Sequence, residues 1–297
     1  MADQIVEITQ PHYRLSKSRG FLHVHDGGKR IGQVPLDDIL TVIVSVPGCS
    51  ISTVLIDHLC QKNVPLVICS SNYLPTSFTL PTQGFGRQFQ IMRSQAMLSE
   101  PKRKRVWKKI VQAKINNQAQ LLKNIGEKHL ALTRLSKKVK SGDPENVEAQ
   151  AARIYWQKIF GSNFRRDRHG SGLNAALNYV YTVVRACVAR GVSSAGLHPS
   201  FSLHHKNPQN PINLVDDLIE PFRPIADFHL WKMGLFDISE ITPSIKAHLA
   251  SVVIQSIPLG NQNSPLSLAA VKTCRSYAAY CLGETREITV PAMPTEM

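Results

Sequence analysis

Residues 202–220, SLHHKNPQNPINLVDDLIE, hold the tightest grouping of imidazole and carboxylate side chains in the chain. His204 and His205 lie in a Pro- and Asn-rich loop, and Asp216, Asp217 and Glu220 lie on the helix that follows. Spacings of three and four put Asp217 with Glu220, or Asp216 with Glu220, on one side of a turn. Hard divalent cations take oxygen ligands and Mn²⁺ also accepts imidazole, so two carboxylates and a histidine suit Mg²⁺ or Mn²⁺. A metal held this way polarises a scissile phosphate, positions an attacking water or 3′-hydroxyl, and stabilises the leaving alkoxide. The expected chemistry is phosphodiester cleavage or strand transfer, which spacing alone does not separate. Ordinary surface carboxylates and loop histidines are the plain alternative. Acids gathered in a chain of net charge +14 favour the ion site over it.

A third carboxylate stands well upstream. In DPENVEAQAARIYWQKIFG a helical step puts Glu148 in phase with Ala152, Tyr155 and Ile159. Near a helix start it could be exposed and favourable to the helix dipole. Buried, it would demand a metal or a cationic partner, because an unpaired buried charge costs several kcal/mol. His23 and His25 alternate on one strand face away from Asp26 and read as structural. Nothing resembles a phosphate-binding Gly-rich loop, since neither Gly27-Gly28 nor Gly84 to Gly86 is followed by Lys-Ser/Thr.

The elements that must position these groups fall into two parts. Up to about residue 80 the chain reads as strands and turns: HYRLSKSRGFLHVHD and KRIGQVPL flank a Gly27-Gly28 hairpin turn, DDILTVIVSV is a buried strand, and VPLVICS is another. One short helix, ISTVLIDHLCQKN with Ser50 as its cap, interrupts them. NYLPTSFTLPTQG, with Pro75, Pro81, Gly84 and Gly86, breaks the pattern and marks the boundary. Beyond it a helix starts near Gln88, restarts at Pro101, and runs to a break at Ser141-Gly142. Then come a helix with Asp143 as N-cap and Pro144 first, an apolar helix ending at Gly191, the Asp216–Glu220 helix with a kink at Pro221, and two more around ITPSIKAHLASVVIQS and SPLSLAAVKTCRSYAAYCLGE. The fold class is α+β, with a β-rich domain over 1–84, an all-α catalytic domain over 85–285, and a flexible tail over 286–297.

Composition bounds the function. The chain has 297 residues, 43% apolar and 19% charged, enough for one large or two modest domains. Its six cysteines form no C-x-x-C pair and read as small buried thiols of a reducing compartment. The first residues carry no signal-peptide pattern, so a cytoplasmic location is expected, and no apolar run approaches the ~18 residues of a spanning helix. Residues 87–140 hold 15 basic side chains, Lys102, Arg103, Lys104, Arg105, Lys108 and Lys109 among them, against Glu100 and Glu127. So unbalanced a run lacks the i,i+4 acids of a merely soluble helix and points to nucleic acid. It shows no broad apolar face for a membrane surface. Arg165, Arg166, Arg168 and His169 in FRRDRHGSGLN either hold phosphates by bidentate contacts or form a solvated loop.

At EAQAARIYW, LHHKNPQNPINL and above all DLIEPFRP the sequence resembles the CRISPR-associated integrases, the first of the Cas protein families, most closely those of type II systems. The resemblance spans nearly the whole chain with three motifs in family order. It implies a catalytic divalent metal, Mg²⁺ or Mn²⁺, on Glu148, His205 and Glu220, with Asp217 as a supporting acid and Arg223 at a phosphate-contacting position. Family members carry a Gly-aromatic-Leu-His motif where this chain has Ser202-Leu203-His204-His205, so His204 stays open as the ligand. The resemblance also implies a homodimer formed through the N-terminal domain, assembly with a small second Cas protein, an association with the type II effector, and attack of a prespacer 3′-hydroxyl on the repeat boundary of duplex DNA. A structure-specific DNA repair nuclease and a non-enzymatic DNA-binding scaffold are the alternatives.

Overall fold

The computed structural model describes residues 4–70, 75–79, 87–236 and 238–295, and the chain parts into two units, Met1–Phe85 and Gly86–Met297. The expected boundary residues Pro81, Gly84 and Gly86 lie outside the described residues.

The first unit contains β1 (Gln4–Ile8), β2 (Arg14–Ser18), β3 (Phe21–Asp26), β4 (Lys29–Pro35), β5 (Ile39–Val44), β6 (Ser50–Ile51), α1 (Thr53–Gln61), β7 (Leu66–Cys69) and β8 (Pro75–Thr79). Gly27 and Gly28 both take positive φ, the condition for the two-residue turn joining β3 to β4. One sheet has the order β4-β3-β2-β6 and the other β1-β5-β7-β8. β5 pairs in parallel with both β1 and β7, which is why its whole run ILTVIV is buried rather than alternating. Leu15, Leu22, Val42, Val44, Leu55 and Leu66 from both sheets and α1 share one core. Two expectations need correcting here. The cap of α1 is Ser52, whose Oγ accepts from Leu55 N, while Ser50 joins the sheet as β6. Pro75 does not break the pattern: Pro75–Thr79 pairs antiparallel with β7 at the sheet edge, where a proline is tolerated.

The second unit comprises α2 (Gln88–Ala96), α3 (Glu100–Asn124), α4 (Leu130–Lys138), α5 (Val147–Ile159), α6 (Leu173–Ser194), α7 (Asn213–Leu218), a 3-10 turn over Glu220–Phe222, α8 (Arg223–Lys232), α9 (Pro243–Ala250), a 3-10 turn over Ser251–Ile254, β9 (Ser256–Leu259), β10 (Gln262–Pro265) and α10 (Leu266–Leu282). The basic segment is therefore three helices, α2, α3 and α4, the last two parted at Ile125-Gly126. α6 does not end at Gly191 but runs to Ser194. A Cβ at Gly191 would come within 2.8 Å of Cys274 Sγ and 3.0 Å of the Ala270 carbonyl, so the glycine permits the close approach of α10. The unit is not all-α, because β9 and β10 form an antiparallel hairpin across Gly260-Asn261.

Nor is the C-terminal segment a free tail. Pro291 bridges to Leu259, Ala292 N donates to the Pro258 carbonyl, and Ile288 and Met293 are buried. The mixed α and β class stands, strand-rich first and helical after. None of the six cysteines forms a disulfide; Cys69, Cys187, Cys274 and Cys281 are buried and Cys49 and Cys60 half-buried. Among the described residues no helix is long and apolar enough to cross a membrane.

Candidate metal centre

Three elements bring the acidic groups together. The buried stripe of α3, with Trp107, Ile110, Val111, Ile115 and Leu122, turns Lys114 inward, so that its side chain is only 12% exposed. Helix α5 supplies Glu148. Its N-cap is not Asp143 but Asn146, in the left-handed region at φ 49°, with Oδ1 accepting from Ala149 N. Asp143 acts from a turn earlier: its carboxylate accepts from Val147 N at 2.9 Å and Glu148 N at 3.0 Å. That fixes the backbone from which Glu148 projects. Pro221 ends α7 and tightens the chain into the 3-10 turn that presents Glu220.

The Lys114 ammonium lies 2.5 Å from Glu148 Oε1 and 2.5 Å from Glu220 Oε2, so the two carboxylates meet at one point. Arg223 Nε donates to the other oxygen, Glu220 Oε1, at 2.9 Å. Burial alone raises the Glu220 carboxyl, but Arg223 and then Lys114 outweigh it and hold it down at about 2. Burial works to lower the Lys114 ammonium, and Glu220 and Glu148 more than offset it, leaving it raised.

Asp217, fully buried, organises the histidine loop. Its Oδ2 accepts from Leu203 N at 2.6 Å and His204 N at 3.1 Å, and its Oδ1 accepts from His205 N at 3.1 Å. The same Oδ1 lies 2.6 Å from His205 Nδ1, which leaves Nε2 as the ring nitrogen free to take a ligand. That hydrogen bond raises the His205 imidazole against the opposing effect of burial, and the charge of Glu220 raises it further. His204 is exposed and stacks flat on Trp107, ring centroids 4.4 Å apart, while His205 meets the same indole edge-on at 5.8 Å.

Behind Glu220 lies a second buried network. Arg223 stands 4.6 Å over the Tyr181 ring, and the Tyr181 and Tyr155 hydroxyls both donate to Asp227. Burial pushes the Asp227 carboxyl up to about 6, against the pull of those two donors. Arg223 is thus turned toward Glu220 and Tyr181. Arg166 is likewise turned inward, onto Asn174, Asn178 and the face of Tyr181, while Arg165 stays exposed. Asp216 pairs with Arg185 at 2.5 Å. On α3, Lys102, Lys104 and Arg105 are exposed and Arg103, Lys108 and Lys109 half-buried, with Lys104 paired to Glu100 and Lys109 to Glu287.

The donors suit a hard divalent cation in kind: two carboxylates, one with a buried oxygen, Glu220 Oε2, that apart from its ion pair receives no hydrogen bond among the described residues, and an imidazole oriented by a carboxylate. In arrangement they are incomplete. No group of three His, Cys, Asp or Glu side chains among the described residues is disposed as a ligand set, and the point between the glutamates is taken by Lys114. Sequence reasoning misses Lys114, which looks like any of its basic neighbours, and Asn117 one turn on.

Asn117 is buried and makes three bonds: its Nδ2 donates to the Pro221 carbonyl at 2.8 Å and the Pro291 carbonyl at 3.1 Å, and its Oδ1 accepts from Met293 N at 2.9 Å. One side chain thus ties the Glu220 turn to the C-terminal segment. Removing it strands three buried backbone groups, so Asn117→Ala is expected to lower stability by about 2–3 kcal/mol, read as a shift of the urea midpoint with an unchanged slope.

The family model for CRISPR associated protein Cas1 matches residues 6–235. The chain is 38% identical over 271 residues, 90% of its length and 88% of the relative's, to the CRISPR-associated endonuclease Cas1 of Neisseria meningitidis serogroup C (strain 8013). In fold it is similar to a Cas1 protein from Thermotoga maritima, with a TM-score of 0.79 at 15% identity over 96% of this chain and 99% of that one. It is also similar to a casposase bound to integration product, with a TM-score of 0.77 at 19% identity over 97% and 92% of the two chains. A mixed fold of this order, the Glu148 and Glu220 motifs meeting at Lys114, and these two degrees of likeness agree: the chain belongs to the Cas1 family of CRISPR-associated proteins.

Proposed function

We propose that the chain is a metal-dependent DNA endonuclease and integrase that joins short prespacer DNA to a CRISPR repeat array by attack of a 3′-hydroxyl on a phosphodiester. The observation that carries this reading is the meeting of Glu148 and Glu220 at one point, with His205 oriented by Asp217 nearby. The likeness in fold to a casposase bound to integration product supports joining over hydrolysis alone.

Glu148, Glu220 and His205, rather than His204, would hold Mg²⁺ or Mn²⁺. Such an ion would supply polarisation of a scissile phosphate and stabilisation of the leaving oxygen. The protein's own groups do the rest. Asp217 keeps His205 in the tautomer and orientation a ligand needs. Arg223, held between Glu220 and Tyr181, fixes the rotamer of Glu220. The Lys102–Lys109 stretch of α3 offers duplex DNA a row of charge that follows backbone without reading bases. A homodimer, the small second Cas protein and the type II effector belong to this proposal as partners.

The test incubates a labelled short duplex bearing 3′-hydroxyls with a supercoiled repeat-bearing plasmid, Mg²⁺ or Mn²⁺, the protein and its small partner. Covalent joining that fails with 3′-blocked duplex supports an integrase. Nicking that ignores the 3′ end overturns that reading in favour of a repair nuclease. In the same system, neutralising Lys102, Arg103, Lys104 and Arg105 together is expected to weaken duplex binding for all sequences alike. The slope of log affinity against log salt should fall by about 3 to 4, measured by fluorescence anisotropy.

A further inference from the structure

Among the described residues, Lys114 is the one that touches both glutamates of the centre, and the reading of that centre as a metal site gives it no task. It comes from α3, an element that supplies none of the three expected ligands. Its ammonium is nearly buried and stands at the shared point of Glu148 and Glu220. Two carboxylates this close repel, and one of them is almost wholly inside the protein. Some cation must stand between them for the pair to remain together, because a buried carboxylate without a partner costs several kcal/mol. Arg223 does not fill that place: it engages Glu220 on the other oxygen and faces Tyr181. Lys114 does, and a lysine suits the place, since a compact charge on a flexible four-carbon stem can withdraw where a planar, forked guanidinium could not.

We propose that Lys114 is a resident counter-cation: its ammonium holds the Glu148–Glu220 pair in place while no metal is bound, and a divalent cation binding between the two carboxylates displaces it. The inference rests on the metal-dependent reading above. It accounts for a centre that has the right donors while the point between its two carboxylates is taken by an ammonium. It also makes Lys114 a determinant of metal affinity, because a cation binds only to the fraction of molecules from which the ammonium has withdrawn. If the ammonium fills the site about nine-tenths of the time, removing it tightens metal binding about tenfold.

The full-length wild-type protein gives the first readout. Treated with a small amine-acylating reagent and mapped by mass spectrometry, Lys114 should be labelled several-fold faster in Mg²⁺ or Mn²⁺ than in EDTA, while Lys102 and Lys108 keep their rates. Direct Mn²⁺ titration, followed by loss of the free-ion electron paramagnetic resonance signal, gives the second. Lys114→Met should bind Mn²⁺ about tenfold more tightly than wild type, and Lys114→Arg, which keeps the charge and guards against a folding defect, more weakly. Metal-independent labelling of Lys114 in a protein that does bind Mn²⁺ overturns the counter-cation while leaving the metal centre standing. Equal affinities of wild type, Lys114→Met and Lys114→Arg do the same. No Mn²⁺ binding by wild type or Lys114→Met overturns both readings together.

Discussion

Glu220→Gln should abolish DNA joining while leaving duplex affinity within a factor of about two, since the exposed basic side chains of α3 are untouched by the change. Glutamine keeps the shape of the side chain and can still accept from Arg223 Nε, now 2.9 Å from Oε1, so the 3-10 turn should hold. What it removes is the negative charge that Arg223 and Lys114 keep ionised down to about pH 2. A divalent cation contributes several kcal/mol of transition-state stabilisation, and each 1.36 kcal/mol is tenfold in rate. Loss of this ligand is therefore expected to slow joining by about a thousandfold. Single-turnover joining with saturating protein, run beside an anisotropy titration on the same duplex, separates the two quantities. Parallel loss of binding and joining would mean that Glu220 serves the surface rather than the chemistry. Glu148→Gln should follow the same course. Withdrawing the metal with EDTA should stop wild-type joining and leave the low-salt binding curve nearly unchanged.

What the sequence makes legible about this centre depends on how local each cause is. Pro221 cannot continue a helix, so the break that presents Glu220 is readable from one residue. Glu148 falls in phase with the buried Tyr155 and Ile159, but periodicity leaves it open between an exposed helix start and a buried pair, and only the contact with Lys114 decides. The hairpin across Gly260-Asn261 carries a two-residue turn signal between short extended runs, yet proline at 258 and 265 makes those runs read as loop. Lys114 is beyond reach for another reason. It is one of 15 basic residues between 87 and 140, and only the packing of α3 decides which of them faces inward. The C-terminal segment shows the same limit. Residues 288–293 have no periodicity to read, and what holds them is a buried asparagine about 170 residues earlier and the edge of β9. Short-range pattern thus locates the acids, while the cation that pairs them and the segment that braces their turn are products of tertiary structure.

Asp217 is where the largest loss of stability is expected. Its carboxylate is fully buried and accepts from three successive backbone amides, those of Leu203, His204 and His205, as well as from the His205 ring. Truncation to alanine leaves those amides facing a cavity, and each unsatisfied buried donor costs about 1–3 kcal/mol. Asp217→Ala should accordingly lower unfolding free energy by about 3–5 kcal/mol, with amide exchange at 203–205 rising toward the unfolded rate. The isosteric Asp217→Asn can still accept from part of the loop and should cost less, yet it loses the charge that holds His205. In metal-free wild type the His205 imidazole titrates above its ordinary value of 6.5, chiefly because of the hydrogen bond to Asp217. A raised folded-state value means the His205–Asp217 pair contributes fully below 6.5 and loses its contribution as pH rises through the folded value. In Asp217→Asn the imidazole should titrate lower than in wild type, and that pH-dependent part of the stability should vanish. An NMR titration of the His205 ring protons reads this directly. A His205 that titrates identically in both proteins would mean that Asp217 shapes the loop without orienting the ring.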